Sequence, residues 1–323
     1  MRKGHFMANP SSRRRAQSWP YKRYKEFEQE LRTAAEKWFK SQKATIHPKM
    51  KYCLKSHSDW RKNIICKKVA IYIQDQCAEK RGKDSFPLHK YLHHGLSSQA
   101  MIFNLIGPLI TANDFEPLKK VIEKAKLAWP AGEIDTDFEY DDRDVFNEDT
   151  GQPTSIDLAI NKKIFIEAKL AEREFGGCSI FAAGDCDGRN PIHYGKESCY
   201  LSYIGRKYWC QVKEFGLDKM ELFKGQICPL ACYYQFYREV LFALSKKGTF
   251  VLLHDERNPA FLKSDKNNNV AGLWDFLIDS VPSEHKNKIA RITIQEVAAE
   301  IENSGRHNDW IYEFKSKYGL GNN

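Results

Sequence analysis

The run Pro153-Thr154-Ser155-Ile156-Asp157-Leu158-Ala159-Ile160-Asn161-Lys162-Lys163-Ile164-Phe165-Ile166-Glu167-Ala168-Lys169-Leu170 decides the fold. Two apolar, β-branched segments, Ile156 to Ile160 and Ile164 to Leu170, flank a short polar turn opened by an asparagine. That pattern predicts a β-hairpin. Side chains alternate faces along a strand, so Phe165, Glu167 and Lys169 share one face while Ile164, Ile166, Ala168 and Leu170 share the other. Hairpin pairing then brings Asp157, near the start of the first strand, alongside the two charges.

The chemistry of that trio is specific. Neighbouring carboxylates hold a hard divalent cation such as Mg²⁺ through oxygen. Such an ion polarises a phosphate, and an adjacent lysine orients water and offsets phosphate charge. Asp, a turn, then Glu-x-Lys inside an apolar strand therefore suits metal-dependent phosphodiester hydrolysis. Taken alone, Glu-x-Lys on a strand reads first as an ion pair, and Asp157 as a turn cap. The full run, with its continuation Leu170-Ala171-Glu172-Arg173-Glu174-Phe175-Gly176, resembles the active-site motif of the PD-(D/E)XK, or restriction-endonuclease-like, nuclease superfamily. The resemblance spans roughly residues 97 to 318, although its specific motif is the hairpin alone. It implies an α/β fold with a central mixed sheet flanked by helices. It also implies a DNA substrate, Mg²⁺ with Mn²⁺ able to substitute, and a chain that can act as a homodimer. Asp157, Glu167 and the Ala168 carbonyl would bind metal, and Lys169 would position or activate the attacking water.

Two helices bear on the same reading. Nucleases of this superfamily often carry an acidic ligand on a helix before the hairpin. Here the helix opening at Ser97-Ser98-Gln99 offers Gln99 and Asn104 instead, which leaves one metal position less acidic. Ser-Ser-Gln followed by Phe103-Asn104 also resembles a subgroup of restriction endonucleases; the simpler reading is that Gln99 satisfies a neighbouring backbone group. A second helix, Pro229 to Ser245, carries Gln235 in Tyr234-Gln235-Phe236-Tyr237. That run approximates, without matching its spacing, a glutamine-plus-aromatic arrangement of exonuclease-type members. Gln99 and Gln235 join the catalytic candidates, and Glu139, on the alternating strand Glu133 to Tyr140, is kept as an auxiliary ligand.

Charge is unevenly spread. Residues 1–80 hold 20 Lys+Arg against 7 Asp+Glu, and the remainder 31 against 35. Such asymmetry fits phosphate binding through counterion release, or simply a solvated basic extension. Residues 1–95 are accordingly read as a basic arm with helices, and 96–323 as the nuclease domain, interrupted by an insertion at about 172–228. No apolar run is long enough to span a membrane and no secretory pattern opens the chain, which places the expected location in the cytoplasm. Nine cysteines, an odd number, favour free thiols in a reducing compartment. Cys178, Cys186, Cys199, Cys210, Cys228 and Cys232 are spaced too irregularly for a zinc ribbon. Some nucleases of this superfamily carry an iron–sulfur cluster, so a cluster or Zn²⁺ stays open beside ordinary buried thiols.

Helices are predicted at 21–43, 62–80, 97–110, 114–129, 229–245, 295–302 and 308–318, and further strands at 249–254 and 291–294. His89, His93 and His94 read as a short exposed helix end, since no supporting ligand follows their spacing. Arg206, Lys207, Tyr208 and Trp209, with Tyr200 and Tyr203, interleave base and aromatic as nucleic-acid surfaces do. The resulting expectation is a restriction-like DNA endonuclease. A repair exonuclease or junction resolvase of the same superfamily is one rival, and a non-catalytic nucleic-acid-binding protein the other.

Overall fold

The computed structural model describes residues 24–80, 86–261 and 272–321; the first 23 residues of the basic arm expected over 1–95 lie outside them. Five strands form one sheet in the order β1 (Thr136–Asp141), β2 (Ser155–Ile160), β3 (Ile164–Lys169), β4 (Thr249–His254) and β5 (Ile289–Thr293). The β1–β2 and β2–β3 pairs are antiparallel, and β3–β4 and β4–β5 are parallel. The hairpin closes as its sequence requires, with Asn161 and Lys162 at φ 49° and 50°. Left-handed backbone is tolerated by asparagine better than by most residues. The Asn161 side chain also accepts from Asp135 N at 2.8 Å and donates to Glu133 O at 2.9 Å, tying the turn to the chain entering β1.

Parallel pairing of β3 with β4 needs a long crossover. It is supplied by residues 170–248, which end in the long helix Pro229–Ser245. The sheet is buried on both faces. Leu158, Ile160, Ile164, Ile166, Ala168, Val251 and Leu253 face one core. Phe165, Phe250 and Leu252 face the other, beneath Phe236, Val240 and Phe242 of the long helix. The first core also takes Phe27, Leu31, Trp38 and Phe39 from α1 (Tyr24–Ser41), and Val69 and Ile73 from α2 (Lys67–Glu79). This is a mixed α/β, restriction-endonuclease-like core with flanking helices.

Several expected helices are shorter than their sequence patterns. The 62–80 helix begins only at Lys67, because Asn63 is pulled into tertiary bonds: its side chain donates to Leu92 O at 2.7 Å and its carbonyl accepts from Asn104 Nδ2 at 3.0 Å. Its apolar face is also narrower than expected, since Ile71 is 58% exposed. The 97–110 helix splits into α3 (Ser98–Leu105) and α4 (Gly107–Ala112). Pro108 lacks the N–H that would continue the ladder, and a Cβ on Gly107 would stand 2.6 Å from Val69 Cγ1. The 114–129 helix contracts to α5 (Glu116–Lys124), closed by Lys126 at φ 63°. His89 to Leu96 is a series of turns rather than a helix end. The remaining α-helices longer than four residues follow as α6 (Tyr208–Glu214), α7 (Pro229–Ser245), α8 (Leu273–Asp279), α9 (Ile294–Asn303) and α10 (Asn308–Tyr318).

Candidate active site

The β2–β3 ladder ends at Leu158↔Ile166, so Asp157 and Glu167, next in register, are not ladder partners. The β1–β2 ladder likewise skips Glu139, which sits at φ 54° between the paired residues Phe138 and Tyr140. Backbone groups released by this parting are taken up by a side chain: Ala168 N donates to Asp157 Oδ2 at 2.7 Å. A strand residue points its N–H and C=O to the same neighbouring strand, so the Ala168 carbonyl faces the Asp157 side as well.

Across β3, Lys169 Nζ donates to Glu167 Oε1 at 2.7 Å and to Gln235 Oε1 at 3.0 Å. Gln235 Nε2 closes the ring by donating to Glu167 Oε1 at 2.7 Å. Strand spacing of two and helix spacing of four explain the fit: Glu167 and Lys169 share a strand face, and Gln235 and Glu239 a face of α7. The delivery of Gln235 depends on a break in that helix. Tyr233 leaves helical geometry (φ −124°, ψ 33°), and the Gln235 N–H donates instead to Gly176 O at 2.9 Å. Cys178 N bonds Ala231 O at 3.1 Å. Between them Gly177 runs so close that a Cβ there would lie 2.5 Å from Ala231 O.

Charge is concentrated here. Glu167 and Lys169 are almost fully buried, and Glu239 is fully buried with neither carboxylate oxygen hydrogen-bonded to a side chain or backbone group. Burial, then the charges of Glu167 and Glu139, push the Asp157 carboxyl well above its ordinary range. Burial, then Glu167, does the same to Glu239. Glu139 is pushed up to about 7 by burial, against the hydrogen bonds it accepts from Gln99 and Ser155. For Lys169 burial works the other way, but Glu167, Glu172, Glu239 and Asp157 outweigh it and hold the ammonium above its usual range. Carboxylates thus outnumber cations around this point, and added positive charge would relieve them. Among the described residues, no three side chains of metal-binding type stand at ligand spacing. The oxygen groups on the Asp157 side of β3 are the Asp157 and Glu167 carboxylates and the Ala168 carbonyl.

Residues 32–319 match the family model described as "Restriction Endonuclease associating with ARP". The chain belongs to the REase-ARP family. No curated protein and no solved structure matched it. REase-ARP membership carries a nuclease-like role, and α1 through α10 fall within or across the matched span.

Within this REase-ARP chain the sequence candidates separate. Asp157, Glu167, Lys169, Ala168 and Gln235 come together. Gln99, in the first turn of α3, does not reach them: its Nε2 donates to Glu139 Oε1 at 2.6 Å and its Oε1 accepts from His89 N at 2.8 Å. Gln99 therefore acts on the site through Glu139. Asn104 is structural, bridging Ile65 N and Tyr318 OH. Tyr208 and Trp209 are buried rather than displayed, and Arg206 donates to the carbonyls of Asn147 and Thr150. Glu148 is likewise internal, accepting from Thr154 N at 2.7 Å and from Tyr208 OH. Sequence reading missed Glu239. Its signal was the spacing Gln235-x-x-x-Glu239, with a charge on an otherwise apolar helix face.

Proposed function

We propose that this chain is a divalent-metal-dependent DNA endonuclease of restriction type. The observation carrying it is the closed Glu167–Lys169–Gln235 triad beside Asp157, where β2 leaves β3. Asp157, Glu167 and the Ala168 carbonyl are the groups that would hold Mg²⁺, or Mn²⁺ in its place. When bound there, the ion supplies Lewis-acid polarisation of the scissile phosphate. Lys169, kept cationic by its carboxylate neighbours, donates to the attacking water or to a phosphate oxygen rather than removing a proton. Gln235 fixes the direction of that ammonium, and Gln99 fixes Glu139 behind Asp157. Two hollows of about 410 and 440 Å³ border residues next to this group, one lined by Glu139 and Ser155, the other by Ala171 and Glu172. Backbone phosphates would approach along them.

The test is plasmid cleavage with Mg²⁺ or Mn²⁺ by wild type and by Lys169→Ala, both checked for folding. Scission by wild type that vanishes in the variant while DNA binding persists supports the reading. Cutting of closed circular DNA separates an endonuclease from an exonuclease, and branched substrates from a junction resolvase. Binding that ignores metal, with no scission of modified or unmodified DNA, would instead leave a binding protein.

A further inference from the structure

The segment between β3 and α6 is well defined in backbone yet lacks a core of its own. From residue 176 to residue 207 no apolar side chain is buried. Its regular structure is three one-turn helices, Ser179–Ala182, Pro191–Tyr194 and Tyr200–Tyr203, and a 3₁₀ turn. Phe181, Tyr194, Tyr200, Tyr203 and Ile204 all face solvent. Ordering a backbone residue costs on the order of 1–2 kcal/mol. Segments that bury too little to offset this are commonly held by a disulfide or a metal. The nine cysteines are all unpaired thiols.

Four of those thiols converge. Cys178, Cys186 and Cys199, each half-buried, line one small hollow together with buried Cys228, the residue that caps α7. The sequence distance between them, irregular on paper, is cancelled by the fold. Cys178 N bonds Ala231 O, Cys228 N bonds Gly188 O, and Arg189 pairs with Ile227 in an isolated bridge. One backbone N–H is already aimed at sulfur: Gly188 N donates to Cys186 Sγ at 3.4 Å. Burial pushes the Cys228 thiol up, and a bound cation would offset that.

We propose that Cys178, Cys186, Cys199 and Cys228 form a structural zinc site that fastens this insertion to the N-terminus of α7. Four thiolates are a standard donor set for structural Zn²⁺. The hollow, about 20 Å³, has room for a single ion, since about one water-sized sphere takes ~10–15 Å³. Binding releases the thiol protons to solvent and leaves a site of net negative charge, beside which Arg189 stands. The sulfurs surround the hollow without lying at ligand spacing, so the loops bearing Cys178, Cys186 and Cys199 draw inward as the ion binds. Cys210 and Cys232, both exposed, lie outside the set.

Elemental analysis of the dialysed full-length protein should find about one zinc per chain. Cys178→Ser, Cys186→Ser and Cys199→Ser should each lose it, whereas Cys210→Ser, Cys232→Ser and Asp157→Asn should keep it. Cys228→Ser removes a buried group and can misfold, so Cys186→Ser, in a surface loop, carries the decision. Cobalt in place of zinc should show thiolate-to-metal absorption, and chelation should open residues 176–207 to protease. Absence of metal with all thiols freely reactive overturns the proposal. So does iron with sulfide, or zinc that survives the cysteine variants but leaves with Asp157→Asn. None of these readouts depends on cleavage, so the site stands or falls apart from the nuclease reading.

Discussion

Lys169 is held cationic between Glu167 and Gln235, to both of which it donates, which makes its replacement informative. Lys169→Ala is expected to lower plasmid cleavage by about 10²–10³-fold, the scale of losing a placed charge in a buried site. Gln235→Ala should cost roughly 10–100-fold, as loss of an orienting partner does, with DNA affinity retained. Glu139 gives a readout that needs no substrate. Its carboxyl, raised from 4.5 to about 7, binds a proton more readily in the folded chain than in the unfolded one. That preference costs nothing below pH 4.5, where both states are protonated, and destabilises the fold increasingly as pH rises to 7. Glu139→Gln should therefore melt higher than wild type at pH 8 by a few degrees, with the gap closing by pH 4.5. A gap independent of pH would show that Glu139 titrates normally.

The elements differ in how openly their sequences announced them. The hairpin was legible because two-residue alternation, an Asn-led turn and three charges at fixed offsets all pointed one way. The helix carrying Gln235 was legible as a helix but not as a broken one. Nothing local to Tyr233 breaks it; the cause is Gly176-Gly177, some fifty residues earlier, passing against its first turn. Long-range backbone contacts of that kind have no periodicity to read. The same limit hid the role of Asn63, which cuts α2 short through bonds to Leu92 and Asn104. Gly177→Ala tests the coupling. With no room for a methyl against Ala231 O, the strand-exit segment must shift and carry Gln235 with it. Cleavage should fall by about tenfold or more while circular dichroism and the melting profile of the β-sheet core change little. Unaltered cleavage would mean the kink, not the glycine, places Gln235.

Across the whole molecule, sequence charge and folded architecture divide the N-terminal quarter differently. Composition drew residues 1–95 as one basic extension, yet Phe27, Leu31, Trp38, Phe39, Val69 and Ile73 belong to the same core as β2 and β3. Tyr24 hydroxyl also bonds Ala171 O just beyond the motif, and the Arg173 guanidinium lies 4.3 Å from the Tyr24 ring centre. Deleting residues 1–80 should therefore yield insoluble protein. Deleting residues 1–23, which contain seven Lys+Arg and no Asp or Glu, should leave the fold intact. If that segment neutralises DNA phosphates, its removal makes the slope of log affinity against log salt shallower, by about 0.9 for each phosphate set free. An unchanged slope would return those charges to a solvated role.

One division in the sheet has a consequence for how such a protein can change over generations. The antiparallel hairpin holds the chemical groups, while the long excursion of residues 170–248 hangs from the end of β3 and rejoins the sheet through α7 and β4. Lengthening a surface excursion costs little in closure entropy, and the outer part of this one, residues 176–207, buries no apolar side chain fully. Insertions, deletions and surface exchanges there can accumulate without disturbing Asp157, Glu167 or Lys169. Gly176-Gly177, the four cysteines of the proposed zinc site and the first turns of α7, where the excursion and the helix bearing Gln235 touch, are the positions bound to stay fixed. A lineage of such proteins is thus free to alter its outer surface while keeping the groups that the hairpin holds.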